Sequence, residues 1–210
     1  MTRRDTLLTL GAGLLFVATL QACRTAQPPA AVQAKPVEPE YVQIWLAAQA
    51  ARPAEIPHAA RIGPVGEPGT PLVVRGRLYR SDGQRTVPNA VIFAYQTDHT
   101  GIYNPPGVLG WRLTGWAKTD EEGWFEFTTI HPAPYPSGDT PAHIHLSAEG
   151  PSIARQILGD VRFAGDPRLT ADDRRAAARA GRFTGLCPVI VEHGVERCEM
   201  LFRLTGEYVF

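Results

Sequence analysis

The sequence lacks a charge imbalance, abundant cysteine and any apolar run long enough to span a membrane. Its 210 residues include 21 Lys and Arg and 21 Asp and Glu, so the formal net charge is zero and no nucleic-acid partner is indicated. No glycine-rich phosphate loop and no Ser-His-Asp order is found. With 44% hydrophobic and 20% charged residues, the chain is too apolar for disorder and too mixed for a polytopic membrane protein.

Glycine and proline, in contrast, are abundant. The sequence has 20 Gly and 19 Pro, well above the usual combined share of about 12%. This excess favours a turn-rich, mainly β chain. The length supports one hydrophobic core.

The first 22 residues resemble an export signal. Arg3 and Arg4 precede an apolar run over residues 7–20, which is too short to span a bilayer as a mature helix. Small residues before Cys23 resemble the lipobox of bacterial lipoproteins, and the arginine pair is similar to a twin-arginine signal. We predict a signal peptide over 1–22, lipidation at Cys23, and export to a membrane-anchored position on the periplasmic or extracellular face. A buried N-terminal helix is the alternative.

Residues 23–69 are rich in Ala and Pro and predict a flexible, lipid-anchored tether. Within it, residues 41–51 have enough apolar side chains for one short docking segment, helix or strand. The folded domain is predicted over residues 70–210.

Residues 70–210 predict an antiparallel β-sandwich. Apolar and polar residues alternate in short runs separated by turn signals. The predicted strands lie near 72–79, 91–96, 112–118, 124–130, 142–147, 153–163, 187–191 and 198–204. One short helix is predicted over Ala171–Ala180, with Thr170 as N-cap and Gly181 as its stop.

Cys187 and Cys198 lie on either side of a predicted turn. If Val191 and Gly194 flank a two-residue turn, the two cysteines are opposed on a hairpin at a distance that allows a disulfide. An exported protein permits such a bond. Two buried free thiols fit the sequence as well.

A His-x-His pair is the first sign of chemistry. On a strand, His143 and His145 share one face with Cα atoms about 6.5–7 Å apart, whereas Ile144 faces the opposite layer. Two imidazoles at this spacing are able to bind one ion. By itself the pair is a weak signal, because solvent-facing His pairs on strands are common.

The segments around this pair resemble the intradiol ring-cleavage dioxygenases, the family of catechol 1,2-dioxygenase and protocatechuate 3,4-dioxygenase. The likeness runs from about residue 66 to 167. It rests on Gly101-Ile102-Tyr103, Pro134-Tyr135-Pro136 and Pro141-Ala142-His143-Ile144-His145, in that order. The resemblance implies one non-haem Fe(III) bound by Tyr103, Tyr135, His143 and His145. It also implies cleavage of a catechol-type ring by O2 to a muconate-type diacid.

The family likeness implies distinct roles for the ligands. Tyr103 and His143 would be equatorial, and Tyr135 and His145 axial, with Tyr135 leaving when a catechol chelates the iron. Independently of the likeness, phenolate is a hard anionic donor that favours ferric iron. A phenol of pKa about 10 ionises at neutral pH only beside a cation such as the metal.

Two positions depart from the family pattern. Thr140 stands where members commonly have Arg, and Asp160 stands where a Gln is found, so both are predicted to alter catalysis. The pocket becomes more negative by about two charges, which should disfavour an anionic substrate. Arg155 and Arg162 are candidates for compensating cations.

Three functions fit these observations. The first is an exported dioxygenase for aromatic catabolism that uses a small aromatic diol and O2. The second is a sandwich lipoprotein that binds iron or a catecholate without turnover, and the third is a metal-free transthyretin-like interaction module. The resemblance implies a dimer or larger assembly, which some members form through an N-terminal helical segment. Here a tether replaces that segment, so either a monomer or a homodimer is expected.

Overall fold

Two five-stranded sheets form a sandwich, which confirms the prediction of a mainly β chain with a short helix after the core strands. The computed structural model describes residues 39–108 and 110–205. In chain order the elements are α1 (Pro39–Ala50), β1 (Ala59–Arg61), β2 (Pro71–Tyr79), β3 (Val91–Gln96), β4 (Leu113–Lys118), β5 (Trp124–Ile130), β6 (His143–Gly150), β7 (Ile153–Phe163), α2 (Ala171–Ala180), a 3-10 turn (Gly181–Phe183), β8 (Leu186–Cys187), β9 (Val189–Glu192) and β10 (Val195–Arg203).

The strand order is β1-β5-β2-β10-β9 in the first sheet and β4-β3-β6-β7-β8 in the second. Most neighbours are antiparallel, but β1 runs parallel to β5, β10 to β2 and β8 to β7. The predicted antiparallel β-sandwich is therefore confirmed in its main pairing, and three parallel pairs are added to it. Alternation in a sequence locates a strand but does not give the direction of its partner, because both kinds of pairing keep the same period.

Alternation along the strands separates the core from the outer faces. In β5, Phe125 and Phe127 lie in the core between the sheets, and in β6 Ile144 does the same. The residues next to Ile144, His143 and His145, consequently point away from the core. Burial of these apolar side chains supplies most of the driving force for folding, at about 25 cal/mol per Å² of apolar surface.

The folded part of the chain begins before residue 70, which corrects the predicted boundary. β1 extends the first sheet beside β5, and Ile62 directly after it is a core residue. The predicted docking segment is helix α1, whose Trp45 is buried beneath the guanidinium of Arg155, 3.8 Å from the ring centroid. Three residues with little alternation give no strand signal, so β1 is recruited only by pairing with β5.

Helix α2 has the predicted start and stop. The Thr170 side chain accepts a hydrogen bond from the backbone N–H of Asp173, and the Asp173 side chain accepts one from the Thr170 backbone N–H. This capping box satisfies two N–H groups that the first turn leaves unpaired. At the other end, Gly181 takes a positive φ of 60°, which a glycine adopts without strain.

Cys187 and Cys198 are joined by a disulfide with Cα atoms 5.9 Å apart, but not in the predicted hairpin register. The turn is His193-Gly194, both residues having positive φ, so Cys198 lies opposite Val189. Cys187 belongs to β8 in the second sheet and Cys198 to β10 in the first. The bond therefore ties the two sheets together. A disulfide that closes a short loop typically adds about 3 kcal/mol to the free energy of unfolding.

Several predicted features lie outside the described residues. These are the signal peptide over 1–22, Cys23 and the tether up to residue 38. Among the residues that are described, no helix has both the length and the apolar character needed to cross a membrane.

Candidate metal centre

Strand pairing gathers the candidate site on the outer face of the second sheet. His145 of β6 lies between Tyr95 of β3 and Asp160 of β7, and His143 lies beside Arg162 of β7. Directly opposed residues share one face of a sheet. Three adjacent strands thus bring these five side chains into two neighbouring rows.

Each imidazole is oriented by an acceptor at its Nδ1 atom. Nδ1 of His143 is 2.7 Å from the carbonyl oxygen of Pro141, and Nδ1 of His145 is 2.7 Å from Oδ1 of Asp160. A proton on Nδ1 satisfies both acceptors and leaves Nε2 with the lone pair. The two Nε2 atoms lie 3.0 Å apart, so both face the same point.

Tyr103 reaches this point from the loop that follows β3. The Asp98 carboxylate accepts hydrogen bonds from the backbone N–H and the hydroxyl of Thr100, at 2.8 and 2.7 Å. The backbone N–H of Arg112 donates to the carbonyl of Tyr103 at 3.3 Å, and its guanidinium donates to Glu67 at 2.8 Å. The loop that carries Tyr103 is therefore fixed on both sides.

Tyr135 arrives from the proline-rich loop between β5 and β6. Arg168 donates from Nη1 to the carbonyl oxygens of Tyr135 and Thr140, at 3.0 and 3.4 Å. The backbone N–H of Ala142 donates to the Asp166 carboxylate at 2.7 Å. The turn after β7 thus holds this loop at both ends.

The two tyrosine loops approach each other closely. The Thr97 hydroxyl donates to the carbonyl of Ala133 at 2.7 Å. Gly101 has a φ of +85°, and a Cβ atom there would lie 2.2 Å from the carbonyl oxygen of Pro134. Since real Cβ atoms do not approach an oxygen so closely, only glycine permits this contact.

Four donor atoms from these elements form a closed ring. The hydroxyl oxygens of Tyr103 and Tyr135 are 2.7 Å apart, Tyr135 is 3.1 Å from Nε2 of His143, and Nε2 of His145 is 3.0 Å from Tyr103. Adjacent ligands of one ion bound at about 2.1 Å lie about 3 Å apart. The residues therefore fit a single ion held by two phenolic oxygens and two imidazole nitrogens.

The electrostatics of the two tyrosines and of His143 suit a cation. Burial raises the pKa of Tyr103 well above its ordinary value, as does its hydrogen bond with Tyr135, and burial also raises the pKa of Tyr135. Both remain neutral phenols unless a cation offsets the cost of burying their charge. Burial lowers the pKa of His143, which favours the neutral imidazole that binds metals.

Asp160 belongs to the same cluster but lies behind His145. Its carboxylate is within 4.8 Å of donor atoms of both histidines, yet the atom it contacts is Nδ1 of His145. Burial acts to raise the pKa of Asp160, but the hydrogen bond with His145 and the positive charges around it, including Arg162, together outweigh burial and lower it. We therefore interpret Asp160 as an ionised partner of His145 and not as a ligand in the ring.

The remaining predicted residues lie at different distances from the ring. Thr140 is exposed, with its carbonyl bound to Arg168. Arg162 lies in the row of His143, but its guanidinium is paired with Asp173 at 2.6 Å. Arg155 instead packs on helix α1. Of the two arginines considered as compensating cations, only Arg162 is placed beside the site.

Aromatic rings form a wall next to the donors. Tyr95 stacks on Trp111 with centroids 3.7 Å apart and planes at 10°, and on His145 at 4.5 Å. Tyr41 of α1 meets the Trp111 ring edge-on at 5.3 Å and hydrogen-bonds with Tyr95. The segment predicted as part of a tether therefore contributes a residue to the site.

Sequence reasoning missed several residues that position the ligands. Asp98 begins an Asx-type turn with Thr100 and Gly101, and that pattern of Asp followed by Gly was available as a signal. Arg168 and Tyr41 gave no such signal, because their contacts are made with segments distant in the sequence.

Fold and donors together define a β-sandwich whose outer face carries four converging donor atoms with a spacing that fits one metal ion. A family model described as Dioxygenase matches residues 37–198, and the chain belongs to this family of intradiol dioxygenases.

Relatives of known activity are similar to about half of this chain. Catechol 1,2-dioxygenase 2 of Acinetobacter lwoffii is 31% identical, over 58% of this chain and 50% of that protein. The protocatechuate 3,4-dioxygenase beta chain of Burkholderia cepacia is 33% identical over 51% of each. The chain thus spans about half the length of the curated relatives it matches.

Solved structures share the fold. The dioxygenase domain of a dioxygenase and carbohydrate-binding protein fusion from Streptomyces sp. SirexAA-E superposes with a TM-score of 0.55 at 22% identity, covering 74% of this chain and 93% of that one. Catechol 1,2-dioxygenase from Pseudomonas arvilla C-1 gives a TM-score of 0.55 at 17% identity, covering 79% and 67%. At such identities the likeness concerns the fold alone.

Proposed function

We propose that the protein is an Fe(III)-dependent dioxygenase that cleaves a catechol-type ring between its two hydroxylated carbons. One catechol and one O2 give one muconate-type diacid, so both oxygen atoms enter the product. The observation that carries this proposal is the closed ring of two phenolic oxygens and two imidazole nitrogens. The relatives described above support the proposal, because they are named as a catechol 1,2-dioxygenase and a protocatechuate 3,4-dioxygenase chain.

The donor set fits ferric iron in particular. Phenolate is hard and anionic, and two phenolates stabilise the ferric over the ferrous state more than neutral imidazoles alone would. Tyr103, Tyr135, His143 and His145 would hold the ion. When bound, iron would supply the Lewis acidity that ionises the two phenols and a chelating diol at neutral pH.

Tyr135 is the residue we assign to proton transfer. Its side chain is partly exposed, and its hydroxyl lies between the Tyr103 hydroxyl and the His143 imidazole. A phenol has an intrinsic pKa of about 10, close to that of a catechol hydroxyl. The Tyr135 phenolate is therefore a base of suitable strength to accept a proton from the incoming diol.

The aromatic wall orients the substrate. Tyr95 and Trp111 present stacked faces beside His145, and an aromatic ring packs well against such a surface. The wall also limits the access of water to the donors. We assign substrate orientation to these two residues.

The function is tested by adding Fe(III) to the purified full chain. The preparation should turn red to brown through charge transfer from tyrosinate to iron, and it should consume one O2 per catechol. A matched preparation loaded with Zn(II) should stay colourless and consume none. A protein that remains colourless and iron-free would contradict the metal site. Colour that shifts with catechol but without O2 uptake would replace the enzyme by a catecholate-binding protein.

The charges around the site favour an uncharged diol. Asp160 adds a carboxylate beside His145, Arg162 is already paired with Asp173, and Thr140 supplies no cation. A carboxylate on the substrate, about 8 Å from the Asp160 carboxylate, would be repelled by roughly 2 kcal/mol at an effective dielectric constant of 20. In the same oxygen assay, kcat/KM for catechol should exceed that for protocatechuate by about tenfold or more. Equal kcat/KM values for the two substrates would mean that Arg162 leaves Asp173 and binds the protocatechuate carboxylate.

We propose in addition that the enzyme works at a membrane surface after export. The support is in the sequence, where Arg3 and Arg4, the apolar run and Cys23 follow in the order of a lipoprotein signal. Mass spectrometry of the mature N-terminal peptide should show a lipid on Cys23. A chain that keeps residues 1–22 and has an unmodified Cys23 would contradict this location.

A further inference from the structure

Asp160 is a charged side chain that contacts the imidazole of a candidate ligand, His145. We propose that Asp160 is a positioning residue: it holds His145 with the proton on Nδ1 and strengthens Nε2 as a metal donor. The inference deepens the proposed function, on which it rests for the identity of the metal. It concerns the tautomer and the orientation of the His145 imidazole, which are measurable with or without iron.

The position of Asp160 follows from strand pairing. Asp160 of β7 is the residue directly opposite His145 of β6, so the two side chains lie next to each other on the outer face. Oδ1 of Asp160 is 2.7 Å from Nδ1 of His145, a normal length for a charge-assisted hydrogen bond. Because both partners lie on paired strands, the contact does not depend on a loop.

His145 is restrained from a second side. Tyr95, opposite His145 on β3, stacks on the imidazole with centroids 4.5 Å apart and planes at 25°. Stacking fixes the plane of the ring, and the hydrogen bond to Asp160 fixes its rotation within that plane. Nε2 is thereby directed at the hydroxyl of Tyr103, 3.0 Å away.

The two histidines differ in the charge of their acceptors. Nδ1 of His143 meets the neutral carbonyl of Pro141, whereas Nδ1 of His145 meets the Asp160 carboxylate. An ionised acceptor draws the Nδ1 proton more strongly and leaves more electron density on Nε2. His145 should therefore be the stronger imidazole donor of the pair, and the extra negative charge near the ion should favour the ferric state.

The test compares variants at Asp160 with a carboxylate that makes no contact with the ring. Asp160→Ala removes both the charge and the acceptor, and Asp160→Asn removes the charge while keeping the shape. Asp139→Asn removes an exposed carboxylate and serves as the matched control. Loss of a carboxylate partner of a ligand histidine typically weakens metal binding about 10–100-fold.

Competition with a chelator should show Fe(III) affinity reduced by about 10–100-fold in Asp160→Ala, by less in Asp160→Asn, and unchanged in Asp139→Asn. The charge-transfer band should shift in both Asp160 variants. Iron affinity and band position equal to wild type in Asp160→Ala would overturn the inference.

A second readout uses the metal-free protein. NMR of the imidazole nitrogens should show His145 with its proton on Nδ1 in the wild type, and a mixture of tautomers in Asp160→Ala. His145 protonated on Nε2 in the wild type would overturn the inference. Absence of O2 uptake alongside these tautomers would instead contradict the proposed function alone, so the two failures are distinguishable.

Discussion

Replacing Tyr103 by Phe is expected to lower the affinity for Fe(III) by more than about 100-fold and to abolish O2 uptake with catechol. The change removes one hydroxyl that closes the donor ring, 2.7 Å from Tyr135 and 3.0 Å from His145. Loss of a residue that only orients a ligand costs about 10–100-fold in affinity, and loss of an anionic ligand itself should cost more. Chelator competition and the charge-transfer spectrum measure the effect.

Two further Tyr→Phe variants show whether the effect is specific to the ligand tyrosines. Tyr79→Phe alters a buried tyrosine that packs on Phe183, so it should leave iron binding unchanged. Tyr135→Phe should change the colour, because one of the two phenolates is lost. If Tyr103→Phe and Tyr135→Phe both keep the wild-type spectrum, the assignment of tyrosine ligands is wrong.

A Gly101→Ala variant is expected to be less stable by about 3 kcal/mol and to bind Fe(III) at least about tenfold more weakly. The added Cβ would meet the carbonyl oxygen of Pro134 at 2.2 Å, and a backbone oxygen cannot move without displacing its loop. A strained φ adds about 1 kcal/mol. Since Gly101 and Pro134 lie next to Tyr103 and Tyr135, relief of the clash should separate the two hydroxyls.

Gly107→Ala separates backbone strain from the clash. Gly107 has a nearly identical φ of +82°, but a Cβ added to it would have no atom within 4 Å. This variant should lose only about 1 kcal/mol of stability and keep its iron. Denaturant unfolding and chelator competition on both variants measure the difference. Equal losses in the two would show that the approach of the loops is not required for the site.

The histidine half of the site could be predicted from the sequence, because it is a local pattern. Residues two apart on a strand face the same way, and His143 and His145 do so with Nε2 atoms 3.0 Å apart. The tyrosines were assigned only through resemblance to a family. No rule of spacing connects Tyr103 with Tyr135, since their loops leave two different sheets and meet through long-range contacts such as Thr97 with Ala133.

Comparing the residue at position 160 with the family pattern was not enough to assign the role of Asp160. The sequence marks it as a change from Gln to Asp and predicts a more negative pocket. The structure places its charge at Nδ1 of His145, where it acts on a ligand. That distinction depends on the register between β6 and β7, which contains an irregularity that no count of residues along the chain would locate.

By itself, the sequence determined the features that depend on neighbours in the chain. These are the strands with alternating side chains, the capping box of helix α2 and the shared face of His143 and His145. Tertiary structure alone decided the parallel pairs, the strand β1, the disulfide between the sheets and the closure of the four-donor ring. The physical reason is that alternation and capping are set within a few residues, whereas these contacts join segments that only the folded core brings together.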